Sequence, residues 1–114
     1  MVRIARELSV AEMVESIVGC KWSLSVLGAI RKGIHRPGEL ERACTGISTK
    51  VLNERLRKMV RFRILERSSF DEAPPRVEYR LTRFGRRFIR LLDDIEELQG
   101  SLDATEVPRV GKAR

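Results

Sequence analysis

The chain has 114 residues, 42% of them apolar, with 23 Lys or Arg against 16 Asp or Glu and a formal net charge of +7. That length fits one compact domain with a real core and excludes a second, while the cationic surplus favours a polyanionic partner such as nucleic acid or an anionic membrane surface. No apolar run is long enough to span a bilayer, the opening residues lack the apolar centre of a secretory signal, and two distant cysteines beside one histidine are too few soft ligands for zinc or iron, so a cytoplasmic chain with reduced thiols, no metal and no cofactor is expected.

Ser9 followed by Glu12 has the spacing of a capping box, and Val10, Met13, Val14, Ile17 and Val18 recur behind it at helical intervals. Gly19 interrupts this first helix. A second is expected from Lys21 to Lys32, with Trp22, Val26, Leu27 and Ile30 as its core face and Gly33 as its left-handed cap. Pro37, with fixed φ and no N–H to satisfy, opens a short third helix through Ala43, which Thr45-Gly46 ends. Ser48 then caps a fourth helix over about Thr49 to Arg61. Its apolar side carries Val51, Leu52, Leu56, Met59 and Val60, and its polar side Thr49, Lys50, Asn53, Glu54, Arg57 and Arg61.

Two helices joined by a tight Gly-containing turn, the second amphipathic and basic, describe a helix-turn-helix. Ile64 to Phe70 and Arg76 to Leu81 read as strands around a turn at 71–75, which adds a wing. Thr82 opens the last helix, where Phe84, Phe88, Leu91, Leu92, Ile95 and Leu98 form a seam stepping by three and four residues. The expected architecture is α+β, mainly α: a winged helix-turn-helix over residues 1–103 with a C-terminal dimerisation helix, fraying from Gly100 into a flexible polar tail at 104–114. Charge is distributed accordingly. Residues 50–90 hold 13 Lys or Arg against 5 acids, whereas 91–103 hold 5 acids and no base.

Several segments, in order, carry a family resemblance: Val18-Gly19-Cys20-Lys21-Trp22-Ser23-Leu24, Arg36-Pro37-Gly38-Glu39-Leu40, Gly46-Ile47-Ser48, and Pro74-Pro75-Arg76-Val77-Glu78-Tyr79-Arg80-Leu81-Thr82. Over roughly residues 9–98 the chain resembles the HxlR-type winged-helix regulators, relatives of the MarR group. The resemblance implies a cytoplasmic repressor or activator, dimeric through its terminal helices, with recognition helix and wing on double-stranded DNA. Some members sense electrophiles or oxidants through a cysteine near the first helix. Here Ser9 holds that place, Cys20 replaces a glycine before Lys-Trp, and Pro37 replaces an aromatic.

Within that motif order, Ser48, Thr49, Lys50, Asn53 and Arg57 are the expected reader residues, since a major groove admits a helix and Asn or Arg can pair with base edges. Outside it, the same face is an ordinary solvated helix surface. Arg36 and Lys21 are candidate phosphate contacts beside helix starts, set against plain exposed cations. Arg76 is a candidate wing contact, although Asp71 and Glu72 at the same turn repel phosphate and set the wing tip back. Trp22 reads as core and His35 as a loop residue without a triad or metal partner. Cys20 and Cys44 are possible redox residues, against the commoner role of small buried side chains. The leading function is a homodimeric, sequence-specific regulator binding a pseudo-palindromic operator. The alternative is a winged-helix module whose basic face docks an acidic protein. No nucleophile-base pair, metal cluster or phosphate loop supports an enzyme.

Overall fold

Ser9 starts the first helix as its spacing predicts, its Oγ accepting from the Glu12 N–H at 3.3 Å. The computed structural model describes residues 9–106. In chain order these form α1 (Val10–Val18), α2 (Ser23–Arg31), α3 (Pro37–Ala43), α4 (Thr49–Arg61), β1 (Leu65–Phe70), β2 (Arg76–Leu81) and α5 (Arg83–Glu106). The expected winged helix-turn-helix is present, with a two-stranded antiparallel hairpin as the wing.

The core joins one stripe from every helix. Met13 and Ile17 of α1, Val26, Leu27 and Ile30 of α2, Leu40 of α3, and Leu52, Leu56 and Met59 of α4 meet Phe88, Ile89 and Leu92 of α5, all of them buried. Each such side chain stabilises the fold by about 1.5–3 kcal/mol relative to exposure. Among the described residues no single helix is long and apolar enough to cross a membrane. The apolar pair α1 and α2 is bent by 101°, and its apolar stripes face this core.

Helix α2 begins at Ser23 and not at the expected Lys21, because Trp22 is its N-cap in a left-handed conformation, φ 79°. A bulky residue there costs on the order of 1–3 kcal/mol. The half-buried ring offsets that cost by packing on the core and covering Gly46, where a Cβ would lie 3.5 Å from Trp22 Cη2. Gly46 itself has φ +100°, so the turn between α3 and α4 is shaped jointly by a glycine and the tryptophan above it.

The hairpin pairs Leu65 with Leu81, Arg67 with Tyr79 and Ser69 with Val77, so β1 starts one residue after the expected Ile64. His35, expected to be a plain loop residue, ties the chain before α3 to the wing: its carbonyl accepts from Tyr79 N–H at 2.9 Å and its Nδ1 lies 3.1 Å from the Tyr79 carbonyl. At the other end Thr82 caps α5. Its Oγ1 donates to the Arg63 carbonyl at 2.6 Å and accepts from Gly85 N–H at 2.8 Å. A Cβ at Gly85 would run into the Ile64 carbonyl, so only glycine allows α5 to lie this close to the start of the wing.

The expected seam on α5 divides in two. Phe88 and Leu92 are buried in their own core, at 2% and 7% exposure, and so are not available to a partner. Phe84 packs beside them, 6.1 Å from the Phe88 ring. Leu91, Ile95 and Leu98 stay exposed, with Leu102 one turn further on. A helix this long has room for both stripes, one roughly a quarter-turn from the other. The expected fraying from Gly100 does not occur: α5 continues through Glu106, with Gln99 Nε2 donating to Asp103 Oδ1 at 2.8 Å across that turn. The rest of the expected tail, 107–114, lies outside the described residues.

Candidate nucleic-acid interface

Helix α4 is positioned from both sides. Ser48 Oγ accepts from Val51 N–H at 3.1 Å and fixes its first turn, while Leu52, Leu56 and Met59 sink into the core. The opposite face carries Lys50, Asn53 and Arg57, all exposed. At 1.5 Å rise per residue these three span about 10 Å along one line of the helix, within reach of consecutive base edges in a major groove. Thr49, also exposed, is less free: its hydroxyl donates to Glu41 Oε2 on α3 at 2.8 Å, bracing the two helices of the motif.

Two further cations of α4 point inward. Arg55 Nε donates to the Lys21 carbonyl at 2.9 Å, and Lys58 Nζ to the Ser16 carbonyl at 3.4 Å. Both are half-buried. They hold α4 to the end of α1 and the connection after it. Sequence reasoning passed over them, as it did Glu41. The available signal was position: Arg55 and Lys58 share the side of α4 that carries Val51 and Met59, where a cation must lay its stem on apolar surface and find an acceptor.

The candidate phosphate contacts are not brought to equal availability. Arg36 is the exposed N-cap of α3. Lys21 is exposed, its Nζ 5.5 Å from the centre of the Trp22 ring. Arg76, by contrast, is engaged within the wing. It lies 4.2 Å over the Phe70 ring, its Nη2 is 3.2 Å from Glu72 Oε2, and its Nε is 3.4 Å from Glu78 Oε2. Glu78 also accepts from Arg80 at 2.9 Å, and the guanidiniums of Arg80, Arg76 and Arg36 hold its carboxyl below the usual carboxylate range.

Neither cysteine stands on the exposed face of α4. Cys44 is buried at the end of α3, and burial pushes its thiol up; Cys20 is half-buried between α1 and α2. Among the described residues no group of His, Cys, Asp or Glu has the grouping that holds a metal.

A capped, cationic second helix on a braced helix-turn-helix, followed directly by a hairpin wing, defines the chain as a winged helix-turn-helix of the transcription-regulator type. Residues 17–105 match the HxlR-like helix-turn-helix family, and the chain belongs to it. It is 44% identical over 78 residues, 68% of its length, to the HTH-type transcriptional regulator sll1512 of Synechocystis sp.. It resembles the solved structure of a MarR-family transcriptional regulator from Enterococcus faecalis V583, with TM-score 0.77 and 34% identity, covering 87% of this chain and 90% of that one. Diamide-treated YodB from B. subtilis superposes with TM-score 0.68 at 30% identity, over 82% of this chain and 89% of YodB. The matches to the first two curated relatives span 58% and 61% of the length of those proteins.

Proposed function

We propose that the protein is a homodimeric, cytoplasmic transcriptional regulator, not an enzyme, that binds double-stranded DNA sequence-specifically through α4. The observation that carries this reading is the line of Lys50, Asn53 and Arg57, solvent-facing on a helix whose other face is anchored in the core. Ser48 and Thr49 set the start of that helix, and Arg36 and Lys21 supply backbone contacts beside it.

The dimer is supported by the second stripe of α5. Leu91, Ile95, Leu98 and Leu102 are exposed at 39%, 38%, 73% and 58%. Alongside them a groove of about 210 Å³ opens between α2 and α5, lined by Val18, Leu24, Leu27 and Ile95 among others. Contiguous apolar surface on a small chain of high charge marks a partner site, and a two-fold pairing covers it on both copies at once.

Selection of duplexes from a random pool by the purified protein, followed by sedimentation of the complex, tests both parts. A shared half-site sequence bound by twice the chain mass is expected. A pool that stays random after selection, while an acidic protein is retained on the basic face, would replace this reading with the protein-docking one.

A further inference from the structure

The wing arginines are surrounded by the protein's own carboxylates. Arg76 is enclosed on three sides, by the Phe70 ring at 4.2 Å, Glu72 at 3.2 Å and Glu78 at 3.4 Å. The two acids differ. The Glu78 side chain is 13% exposed and shared with Arg80, whereas that of Glu72, at the wing tip, is 47% exposed and its carboxylate pairs with Arg76 alone among the described contacts. Glu78 therefore aligns the guanidiniums, and Glu72, the more exposed partner, holds the Nη2 end of Arg76 at the wing tip, where an incoming anion competes for the same nitrogen.

From this geometry we infer that Glu72 is a specificity-determining residue: it occupies Arg76 in place of a DNA phosphate and must be displaced before the wing can grip the backbone. The inference rests on the DNA-binding reading of α4. A carboxylate and a phosphate oxygen compete for the same N–H groups of a guanidinium. On a random duplex the wing meets phosphates in no fixed register, and Glu72, tethered four residues away across the hairpin turn, wins. On the correct site the base contacts of α4 fix the register, so a phosphate is presented to Arg76 at high effective concentration and can take over. Backbone contacts are the main source of random-site affinity, so withholding one until the bases match weakens wrong complexes more than right ones.

The test compares the full-length parent, Glu72→Gln and Glu72→Gln/Arg76→Gln by fluorescence anisotropy, on a selected and a scrambled duplex over a salt series. Glu72 is exposed, so the substitution leaves the core untouched. Glu72→Gln should raise affinity for the scrambled duplex about three- to tenfold and steepen its log-log salt dependence by up to about one unit. The gain on the selected duplex should be smaller, and removing Arg76 should abolish both gains. Unchanged scrambled-duplex binding, equal gains on the two duplexes, or a gain that survives loss of Arg76 would each overturn the inference. A parent that binds neither duplex would instead remove the DNA-binding reading, and this one with it.

Discussion

Arg55 Nε donates to the main-chain carbonyl of Lys21 at 2.9 Å, joining the middle of the reader helix to the connection that leads into α2. The side chain is only 18% exposed, so its stem also fills space beside the core. Arg55→Met keeps that stem and removes the donor. A hydrogen bond from a charged group contributes about 1.5–3 kcal/mol and this one lies near the surface, so urea unfolding should register a smaller loss of about 1 kcal/mol. Affinity for a selected duplex should fall while its salt slope stays at the parent value, because Arg55 seats the reader without touching phosphate. A shallower slope would make Arg55 a backbone contact instead.

Arg31 on α2 and Asp93 on α5 form a two-point ion pair, at 2.9 and 2.6 Å, that fixes where α5 leaves the domain. The guanidinium holds the Asp93 carboxyl below its ordinary range, so the folded protein binds that proton less tightly than the unfolded chain does. The contribution is therefore fully present above the ordinary aspartate value of 3.8 and is lost as pH falls through the lower folded value. Both side chains are half-exposed, so solvent screens the pair and the effect is small. Stability measured by urea at stepped pH should fall more steeply in acid for the parent than for Asp93→Asn. Parallel curves would mean that the pair does not persist in solution.

The thiols should separate by accessibility. Cys44 is 5% exposed and its thiol is pushed up by burial, whereas Cys20 is half-buried at the surface end of α1. Alkylation of the native protein should mark Cys20 first, and Cys44 only as the domain unfolds, as peptide masses will report. Ser9 stands where a sensing cysteine is expected in this family, so peroxide or diamide should leave operator affinity nearly unchanged. A large redox response abolished by Cys20→Ser or Cys44→Ser would assign the switch to that thiol.

What could be read from the chain beforehand follows the range of the forces involved. The Ser48 cap, the Pro37 helix start and the two faces of α4 are set within one or two helical turns, and each stands where its local chemistry puts it. Trp22 was legible as a core residue but not as a left-handed cap, since that conformation is offset by packing on the core and over Gly46, 24 positions later, which no local pattern reveals. The α5 seam looked like one interface because spacing alone does not say which of two adjacent stripes the same chain will cover. Arg55 and Glu41 escaped notice for the same reason, and Glu72 was legible as repelling phosphate but not as pairing with Arg76: such roles lie in which partner a side chain meets, and charged residues at those positions fit a solvated surface equally well.

The sharpest expectation for the reader face is that its residues divide by what they contact. Lys50, Asn53 and Arg57 lie one and two turns apart on the exposed side of α4, and none of them has a side-chain hydrogen bond or ion pair among the described contacts. Asn53 and Arg57 have the paired donors and acceptors that distinguish adenine and guanine, so each alanine substitution should lose about 1–3 kcal/mol on a selected duplex and relax the preference at one base pair. Lys50 offers a point charge. If it serves a phosphate, Lys50→Ala should weaken selected and random DNA alike and lower the log-log salt slope by about one unit. A two-fold protein presents both α4 helices to one side of the duplex, so protected half-sites should be centred about 34 Å apart. Anisotropy and footprinting on the same selected duplex check all of these together. Should Asn53→Ala and Arg57→Ala bind it as tightly as the parent at every salt concentration, α4 is not the reader, and its cationic face serves an acidic protein surface instead.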